Sequence, residues 1–250
     1  MIQFKTEDLL VIDIETAPNY FSYEEMPEAW QQLWTGKVER TLPESVTAAE
    51  YYSKRAGIMA EFARIVCISI GMIHHDGVNK LLIKSFYGLD EKKILQEFIA
   101  VVQQVQSKNS RFVFAGHNIK EFDIPFICRR MIIHNIPLPN FMNFQNMKPW
   151  DTNIVDSFQY WRFGDYKNFT SLKLLAACLN IPSPKDDIDG SMVAELYWTK
   201  DEEQRKKNLD RIAQYCQKDV QATTNILLHF KNEEKITDEN IEFRPPEVFV

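Results

Sequence analysis

The sequence predicts an α/β domain in which helices cover a sheet. Short aliphatic segments typical of buried strands alternate with longer segments in which apolar residues recur at helical spacing. The first strands are close enough in the chain to pair as an antiparallel hairpin, whereas helices separate the later ones, so a mixed central sheet is expected. The chain has 250 residues, 45% of them hydrophobic, which is enough for one large domain or two small ones.

A strand and a long insertion come first. Leu9–Ile14 is an aliphatic run of strand length. The next segment, at about 23–62, is too long for a turn and is predicted as a helical insertion that covers or flanks another part of the domain. Within it, Thr47 and Glu50 have the spacing of a capping box, which predicts that a helix begins there.

Strands and helices alternate after the insertion. Strands at 64–73 and 80–87 are predicted to form a hairpin joined across 74–79, where Asp76-Gly77 is a turn signal. The elements that follow are a helix from Asp90, a strand at 111–118, a helix at 121–135, a strand at 151–158, a helix at 170–180 and a long helix at about 201–230. Residues 231–250 form a charged tail, so a single domain is predicted at 1–230.

Composition excludes several classes of function. The net charge of −6 argues against a protein that coats nucleic acid by neutralising phosphates, but it allows an enzyme whose metal ions meet the phosphate. The glycine-rich loops of dinucleotide-binding and P-loop enzymes are missing. No apolar stretch is long enough to cross a membrane, no secretory signal is present and the four cysteines form no CxxC pair. A cytoplasmic protein with reduced thiols is therefore expected.

Two carboxylates follow the first strand at a spacing that places them together. Asp13 and Glu15 are two positions apart, so they share one face if the strand continues through them. Like charges at that separation repel, and a buried pair normally has raised pKa values or binds a cation. The alternative is that the strand ends at Ile14 and that Glu15 lies in a solvated loop before Pro18. The pair alone leaves both interpretations open.

Two later segments each add an acidic residue. Asp123 lies where the chain would leave the strand at 111–118 and enter a helix, near the edge of the sheet where ligands gather. Asp219 is predicted at the edge of the apolar stripe of the long helix, with Tyr215 one turn earlier on the same side. Taken singly, Asp123 is explained as a helix cap and Asp219 as a surface charge.

Together, the three motifs are more specific than any one of them. D-x-E, N-x-x-x-F-D and Y-x-x-x-D occur in this order, and the set resembles the three motifs of the DEDD exonuclease superfamily. Tyr215 is similar to the tyrosine of the DEDDy branch, because Gln214 stands where the DEDDh branch has histidine. The segments "DIETAP" and "YCQKDV" are similar to the proofreading exonuclease domains of family B DNA polymerases and to free-standing bacterial proteins like them. The resemblance covers about Leu9 to Leu228, apart from the insertion.

The resemblance implies a ribonuclease H-like fold and a metal-dependent 3′–5′ exonuclease that releases 5′-mononucleotides from single-stranded DNA. Asp13, Glu15, Asp123 and Asp219 would bind two divalent ions, Mg²⁺ or Mn²⁺, which prefer hard oxygen ligands. By similarity, one ion is held by Asp13, Glu15 and Asp219 and generates the attacking hydroxide. The second, shared through Asp13 and close to Asp123, stabilises the leaving oxygen. Tyr215 would orient the attacking water, since a phenol is a poor base at neutral pH.

The same resemblance suggests substrate contacts. Asn118 would touch the scissile end or brace the site, Phe122 would stack beside a terminal base or belong to the core, and Thr16 would donate a hydrogen bond to the terminal nucleotide. Asp151 and Asp156 are interpreted as structural or supporting residues rather than catalytic acids.

The sequence is less informative about the substrate and the partners. DNA ends are favoured as substrate over RNA. The alternatives are an RNA-trimming exonuclease of ribonuclease D type and a non-catalytic nucleic-acid-binding module. No polymerase palm or fingers motif is present, so a polymerase or repair partner would have to act in trans, and no membrane partner is expected.

Overall fold

The computed structural model describes residues 4–145, 147, 154–182 and 188–249. Within these ranges the strands are β1 (Leu9–Pro18), β2 (Ala63–Asp76), β3 (Val78–Gly88), β4 (Val113–Gly116), β5 (Ile154–Asp156), β6 (Ile241–Phe243) and β7 (Glu247–Phe249). The helices are α1 (Glu28–Val38), α2 (Ala48–Arg55), α3 (Glu91–Lys108), α4 (Asp123–Ile133), α5 (Ser157–Arg162), α6 (Leu172–Cys178), α7 (Val193–Tyr197) and α8 (Glu202–Phe230). In the described part of the chain, no helix is both long enough and apolar enough to cross a lipid bilayer.

The sheet has the order β5-β4-β1-β2-β3-β6, and β7 also pairs with β3. The pairs β1–β2 and β2–β3 are antiparallel, whereas β1–β4, β4–β5 and β3–β6 are parallel. β2 and β3 are joined by a tight turn and β1 and β2 by the insertion, whereas helices lie between the parallel strands along the chain. The predicted fold class, a mixed central sheet flanked by helices with a helical insertion after the first strand, is confirmed.

Alternation along β1 sorts its side chains between the two faces of the sheet. Leu10, Ile12 and Ile14 belong to the core cluster that also contains residues of α3 and α4. Leu9 and Val11 belong to the cluster on the opposite face, which includes residues of α8. Because the period of a strand is two residues, Asp13 continues the Leu9–Val11 face and points toward α8.

β1 is longer than predicted. Glu15 pairs with Cys67 of β2, and pairing continues to Pro18 after an irregularity between Glu15 and Thr16. The Thr16 hydroxyl donates a hydrogen bond of 2.6 Å to the carbonyl of Gly57 in the insertion, which holds the strand beyond that irregularity. The interpretation in which the strand ends at Ile14 is therefore wrong, because Glu15 lies inside a paired and buried strand.

The hairpin connection is shorter than predicted. Most of 74–79 is strand, with His75 opposite Asn79 and Asp76 opposite Val78. Gly77 alone makes the turn, in a left-handed conformation at φ 74° that glycine adopts without steric cost. The strand predicted at 111–118 is in turn only Val113–Gly116. The strand predicted at 151–158 is observed at Ile154–Asp156, because α5 begins at Ser157. Residues 151–153, with Asp151, lie outside the described residues.

The insertion folds around its own aromatic cluster. Trp34 of α1 is fully buried, and its Nε1–H donates to the carbonyl of Ala48 at 2.8 Å. Its ring packs edge-on against Tyr52 of α2 and against Phe62. The predicted capping box at Thr47 and Glu50 is present at the start of α2. The insertion therefore packs around its own hydrophobic cluster and is not a loose loop.

The residues after α8 extend the sheet. β6 pairs in parallel with the middle of β3 and β7 with its end. The N–H of Leu89 also donates to the carbonyl of Phe249 at 2.6 Å. The division into a domain at 1–230 and a tail at 231–250 stays a prediction, but two segments of the tail are paired with the domain.

A buried ion pair joins α3, α4 and β2. Arg130 of α4 donates from Nη2 and Nε to the two carboxylate oxygens of Glu91, at 2.6 and 2.8 Å. The Glu91 carboxylate also accepts the N–H of Ile65 in β2 at 2.8 Å. Both charged side chains are only 6% exposed, so the pair is well shielded from solvent.

We expect Arg130→Leu to lower the free energy of unfolding by about 3–5 kcal/mol, because it removes the guanidinium from the buried Glu91 carboxylate and leaves His134, at 2.7 Å, as its side-chain partner. Arg129→Leu is the matched control, since Arg129 is the exposed neighbour on the same helix. The control should change stability by about 0.5 kcal/mol or less. Denaturant unfolding of both variants checks this, and equal effects would contradict it.

Candidate active site

The carboxylates of Asp13 and Glu15 lie together on the α8 side of β1. An oxygen of each, and the sulfur of Cys216 in α8, all lie within 4.8 Å of one another. Glu15 is buried, whereas Asp13 is partly accessible. Because the strand continues through both residues, the two side chains lie on one face of the sheet, as predicted.

Asp123 begins the helix that follows β4, and β4 lies on the other side of β1 from β2. It is the first residue of α4 and is 4% exposed. Its Oδ1 accepts the N–H of Ile14 at 3.1 Å, which fixes the start of α4 against the segment between Asp13 and Glu15. The side chain therefore binds the backbone of β1 instead of only capping its own helix.

α8 completes the site because it packs closely on the sheet. A Cβ added at Gly71 of β2 would lie 2.6 Å from Cγ1 of Val220, so only glycine permits this approach. Asp219 precedes Val220, and its charge acts on Asp13, Glu15 and Asp123. Tyr215, one turn earlier, hydrogen-bonds Asp219 through its hydroxyl. The structure thus brings the four predicted acids and Tyr215 together.

The electrostatics of the site are those of buried, mutually repelling acids. Burial, followed by the charges of Asp219 and Glu15, raises the pKa of Asp13 well above its usual value. Burial and the charge of Asp219 do the same to the pKa of Glu15. The pKa of Asp123 is raised to about 7, mainly by burial. In each case the ionised form of the carboxyl is disfavoured. A bound cation would stabilise the ionised form and so lower these pKa values.

The residues fit a divalent cation. Oδ2 of Asp13 is enclosed and has no hydrogen-bond partner among the described residues. An enclosed carboxylate oxygen without a donor is costly unless a cation meets it. The Cys216 thiol is not a competing ligand, because burial raises its pKa and its S–H donates to the carbonyl of Asp13 at 3.3 Å. The donor set is then oxygen only, which suits Mg²⁺ or Mn²⁺.

The three predicted substrate contacts lie around these acids. Asn118 has a left-handed backbone at φ 61°, and its side-chain oxygen is enclosed without a described partner. Phe122 is partly buried and its ring centroid is 5.5 Å from that of Phe126, so it contacts the core. The proton of the Thr16 hydroxyl is engaged by Gly57. Their contacts with substrate stay predictions.

Asp156 has a supporting position that the sequence did not specify. It lies at the end of β5 and is 2% exposed. Its Oδ1 accepts the N–H groups of Asn118 and Phe158, both at 3.0 Å, and its Oδ2 accepts that of Lys120 at 3.1 Å. The carboxylate therefore holds the loop that carries Asn118 while it caps α5. An aspartate between a strand and a helix is a signal for the cap alone.

The family comparison agrees with this geometry. Residues 58–242 match the model of a family described as a predicted 3′–5′ exonuclease related to the exonuclease domain of PolB. The chain belongs to this family. The match of the PolB-related exonuclease family includes Asp123, Tyr215 and Asp219, whereas Asp13 and Glu15 precede it. A search of curated proteins finds no match.

A solved structure supports the fold of this PolB-related exonuclease domain. The family B DNA polymerase from the hyperthermophilic archaeon Pyrobaculum calidifontis superposes with a TM-score of 0.54 and 16% identity. The superposition covers 89% of this chain and 24% of the polymerase chain. At this identity the likeness concerns the fold. The predicted resemblance to family B polymerase exonuclease domains is confirmed by the two comparisons together.

The raised carboxyl pKa values predict a pH-dependent stability in the absence of metal. A carboxyl whose pKa is higher in the folded than in the unfolded chain binds its proton more tightly when folded, so stability falls as pH rises through that interval. For Asp123 the interval runs from 3.8 to about 7, which corresponds to about 4 kcal/mol. Denaturant unfolding in EDTA at pH 5 and pH 8 measures the part of this fall that lies above pH 5, about 3 kcal/mol.

Asp123→Asn is the comparison for this measurement, because its amide oxygen can still accept the N–H of Ile14 but carries no titrating proton. The variant should lose a large part of the fall in stability between the two pH values. Mg²⁺ or Mn²⁺ added at pH 8 should stabilise the unmodified chain more than the variant. Equal pH dependence in the two chains would contradict the expected repulsion.

Proposed function

We propose that the chain is a 3′–5′ exonuclease that hydrolyses the terminal phosphodiester of single-stranded DNA and releases 5′-mononucleotides, using two divalent ions. The observation that supports this most directly is the convergence of Asp13, Glu15, Asp123 and Asp219 with Tyr215. These side chains come from β1, α4 and α8 and meet at one buried site. Surface acids with no such function would not be gathered where burial raises their pKa values.

The acids have two tasks in this proposal. Asp13, Glu15 and Asp219 would hold one ion, and Asp13 with Asp123 would hold the other. When bound, Mg²⁺ or Mn²⁺ would neutralise charge on the phosphate and favour a deprotonated water. One oxygen of Asp123 accepts the N–H of Ile14, and the other would meet the ion or its water shell.

Tyr215 positions the attacking water. Burial and the charge of Asp219 raise the pKa of Tyr215 far above its usual value, so the hydroxyl keeps its proton at neutral pH. The hydroxyl therefore acts through hydrogen bonds and not as a base. Water attacks the phosphorus, the bond to the 3′ oxygen of the next nucleotide breaks, and that oxygen receives a proton.

DNA is the proposed substrate because the superposed protein is a DNA polymerase. The chain matches only part of that polymerase, so a polymerase or repair partner in trans belongs to the same proposal. The described cysteines are all free, which agrees with the proposed cytoplasmic location.

Single substitutions of the acids test the activity. We expect Asp13→Asn and Asp219→Asn to lower the rate of 3′-end degradation roughly 100- to 10,000-fold, because each removes charge that holds an ion. Tyr215→Phe should lower it by about 10- to 100-fold, through loss of water orientation. Asp76→Asn, at the exposed hairpin turn, is the control and should keep full activity. Gel assays with Mg²⁺ or Mn²⁺ measure these rates.

Matched DNA and RNA single strands, labelled at the 5′ end, identify the substrate. The proposal expects a ladder of shortened DNA strands, mononucleotide products and little shortening of RNA. A preference for RNA would replace DNA by the RNA-trimming alternative. An unmodified chain as inert as Asp13→Asn on both would contradict the proposed activity.

A further inference from the structure

A small pocket lies where the helical insertion meets β2, next to the end of β1. Its volume is about 190 Å³, and we call it the aromatic pocket; it is lined by Asn19, Tyr20, Met26, Trp30, Phe62 and Arg64. Arg64 pairs across the sheet with Ala17, two residues after Glu15. Glu15 and Ala17 are roughly 7 Å apart along an extended strand. The aromatic pocket therefore lies near the carboxylates.

The walls of the aromatic pocket are held in place before any ligand binds. The N–H of Asn19 donates to the carbonyl of Phe62 at 2.8 Å. The hydroxyl of the buried Tyr52 accepts the N–H of Tyr20 at 3.3 Å and donates to its carbonyl at 3.2 Å. A pocket whose shape is fixed in this way loses little conformational freedom on binding.

Trp30 presents an aromatic surface to solvent at this pocket. It is 39% exposed, whereas Trp34, one turn later on α1, is fully buried. Its ring meets Phe62 edge-on, with centroids 5.8 Å apart and an interplanar angle of 88°. An edge-on contact uses the edge of one ring and leaves aromatic faces available. Exposed aromatic faces beside a polar rim are typical of surfaces that stack on a ligand.

Arg64 supplies a cation with few partners. It makes no ion pair with a carboxylate among the residues that the structure describes. Its Nη1 and Nη2 donate over 3.4 Å to the Tyr197 hydroxyl and to the carbonyl of Asn19, and its Nε has no described partner. Both bonds are long. The guanidinium also lies over the ring of Trp198, 5.5 Å from its centroid, which leaves the N–H groups at its edge able to bind an anion without displacing a strong hydrogen bond.

We propose that the aromatic pocket receives a base of the single strand whose 3′ end lies at the carboxylates, with Arg64 bonded to an adjacent phosphate. Aromatic faces together with an arginine are the chemistry that binds single-stranded nucleic acid without reading its sequence. The proposal rests on the proposed exonuclease function for the placement of the 3′ end. The insertion then acts as a substrate-binding element that secures the strand upstream of the scissile bond.

Binding measurements test the pocket without turnover. In an Asp13→Asn chain, which leaves the strand intact, the affinity for a 5′-labelled octathymidylate is measured by fluorescence anisotropy. Adding Trp30→Ala should weaken binding roughly 5- to 100-fold through lost stacking. Leu33→Ala, at an exposed position of the same helix, should leave the affinity unchanged. Trp30→Phe, which keeps an aromatic face, should restore most of it.

Equal affinities for the Trp30→Ala and Leu33→Ala chains would overturn the proposal. A second measurement avoids any dependence on the folding of a Trp30 variant. Iodouracil-substituted strands are cross-linked by light to the Asp13→Asn chain, and the modified peptides are identified by mass spectrometry. Cross-links at Tyr20, Trp30 or Phe62 support the pocket, and cross-links found only elsewhere overturn it.

A substrate with a single base separates this inference from the proposed activity. The p-nitrophenyl ester of thymidine 5′-monophosphate reaches the carboxylates but has no upstream base. Trp30→Ala in the otherwise unmodified chain should keep its activity on the ester and lose kcat/KM on the octamer. If the unmodified chain hydrolyses neither substrate, the proposed activity fails, and the binding ratio still decides on the pocket.

Discussion

Repulsion among four clustered carboxylates, of which Glu15 and Asp123 are buried, is the constraint that the surrounding structure has to meet. The charge of Asp219 raises the pKa values of both Asp13 and Glu15, and the charge of Glu15 also raises the pKa of Asp13. The opposing forces come from packing and hydrogen bonds: α8 is pressed onto β2 at Gly71, and Asp123 is bonded to the N–H of Ile14. Keeping these acids together lowers the stability of the fold, and it also forms a site that attracts cations.

Local pattern was sufficient for those parts of the fold that depend on neighbouring residues. Alternation in β1 predicts that Asp13 and Glu15 share a face, and the Thr47 capping box predicts the start of α2. The length of β1 was not predictable in this way. Its continuation past Glu15 depends on pairing with β2 and on the bond between Thr16 and Gly57, which are 41 residues apart in sequence. Contacts between residues so far apart in the chain produce no periodic pattern in the sequence.

The site shows the same division. The order and spacing of the motifs identify the acids and Tyr215, because each motif is local even though the three are distant in sequence. The contribution of Asp156 depends on β5 lying beside β4, where its carboxylate reaches the N–H groups of Asn118 and Lys120. The exposure of Trp30 likewise follows from how α1 rests on Phe62. Neither arrangement has a sequence motif.

The pairing of β6 and β7 with β3 also governs how the molecule meets its neighbours. β3 would otherwise present a row of free N–H and C=O groups at the edge of the sheet, and such an edge accepts strands from other molecules. β6 and β7 are only three residues each, so they cover that edge without offering a long one of their own. A chain shortened before Ile241 would therefore be prone to self-association, and cloning boundaries placed there would yield aggregated material.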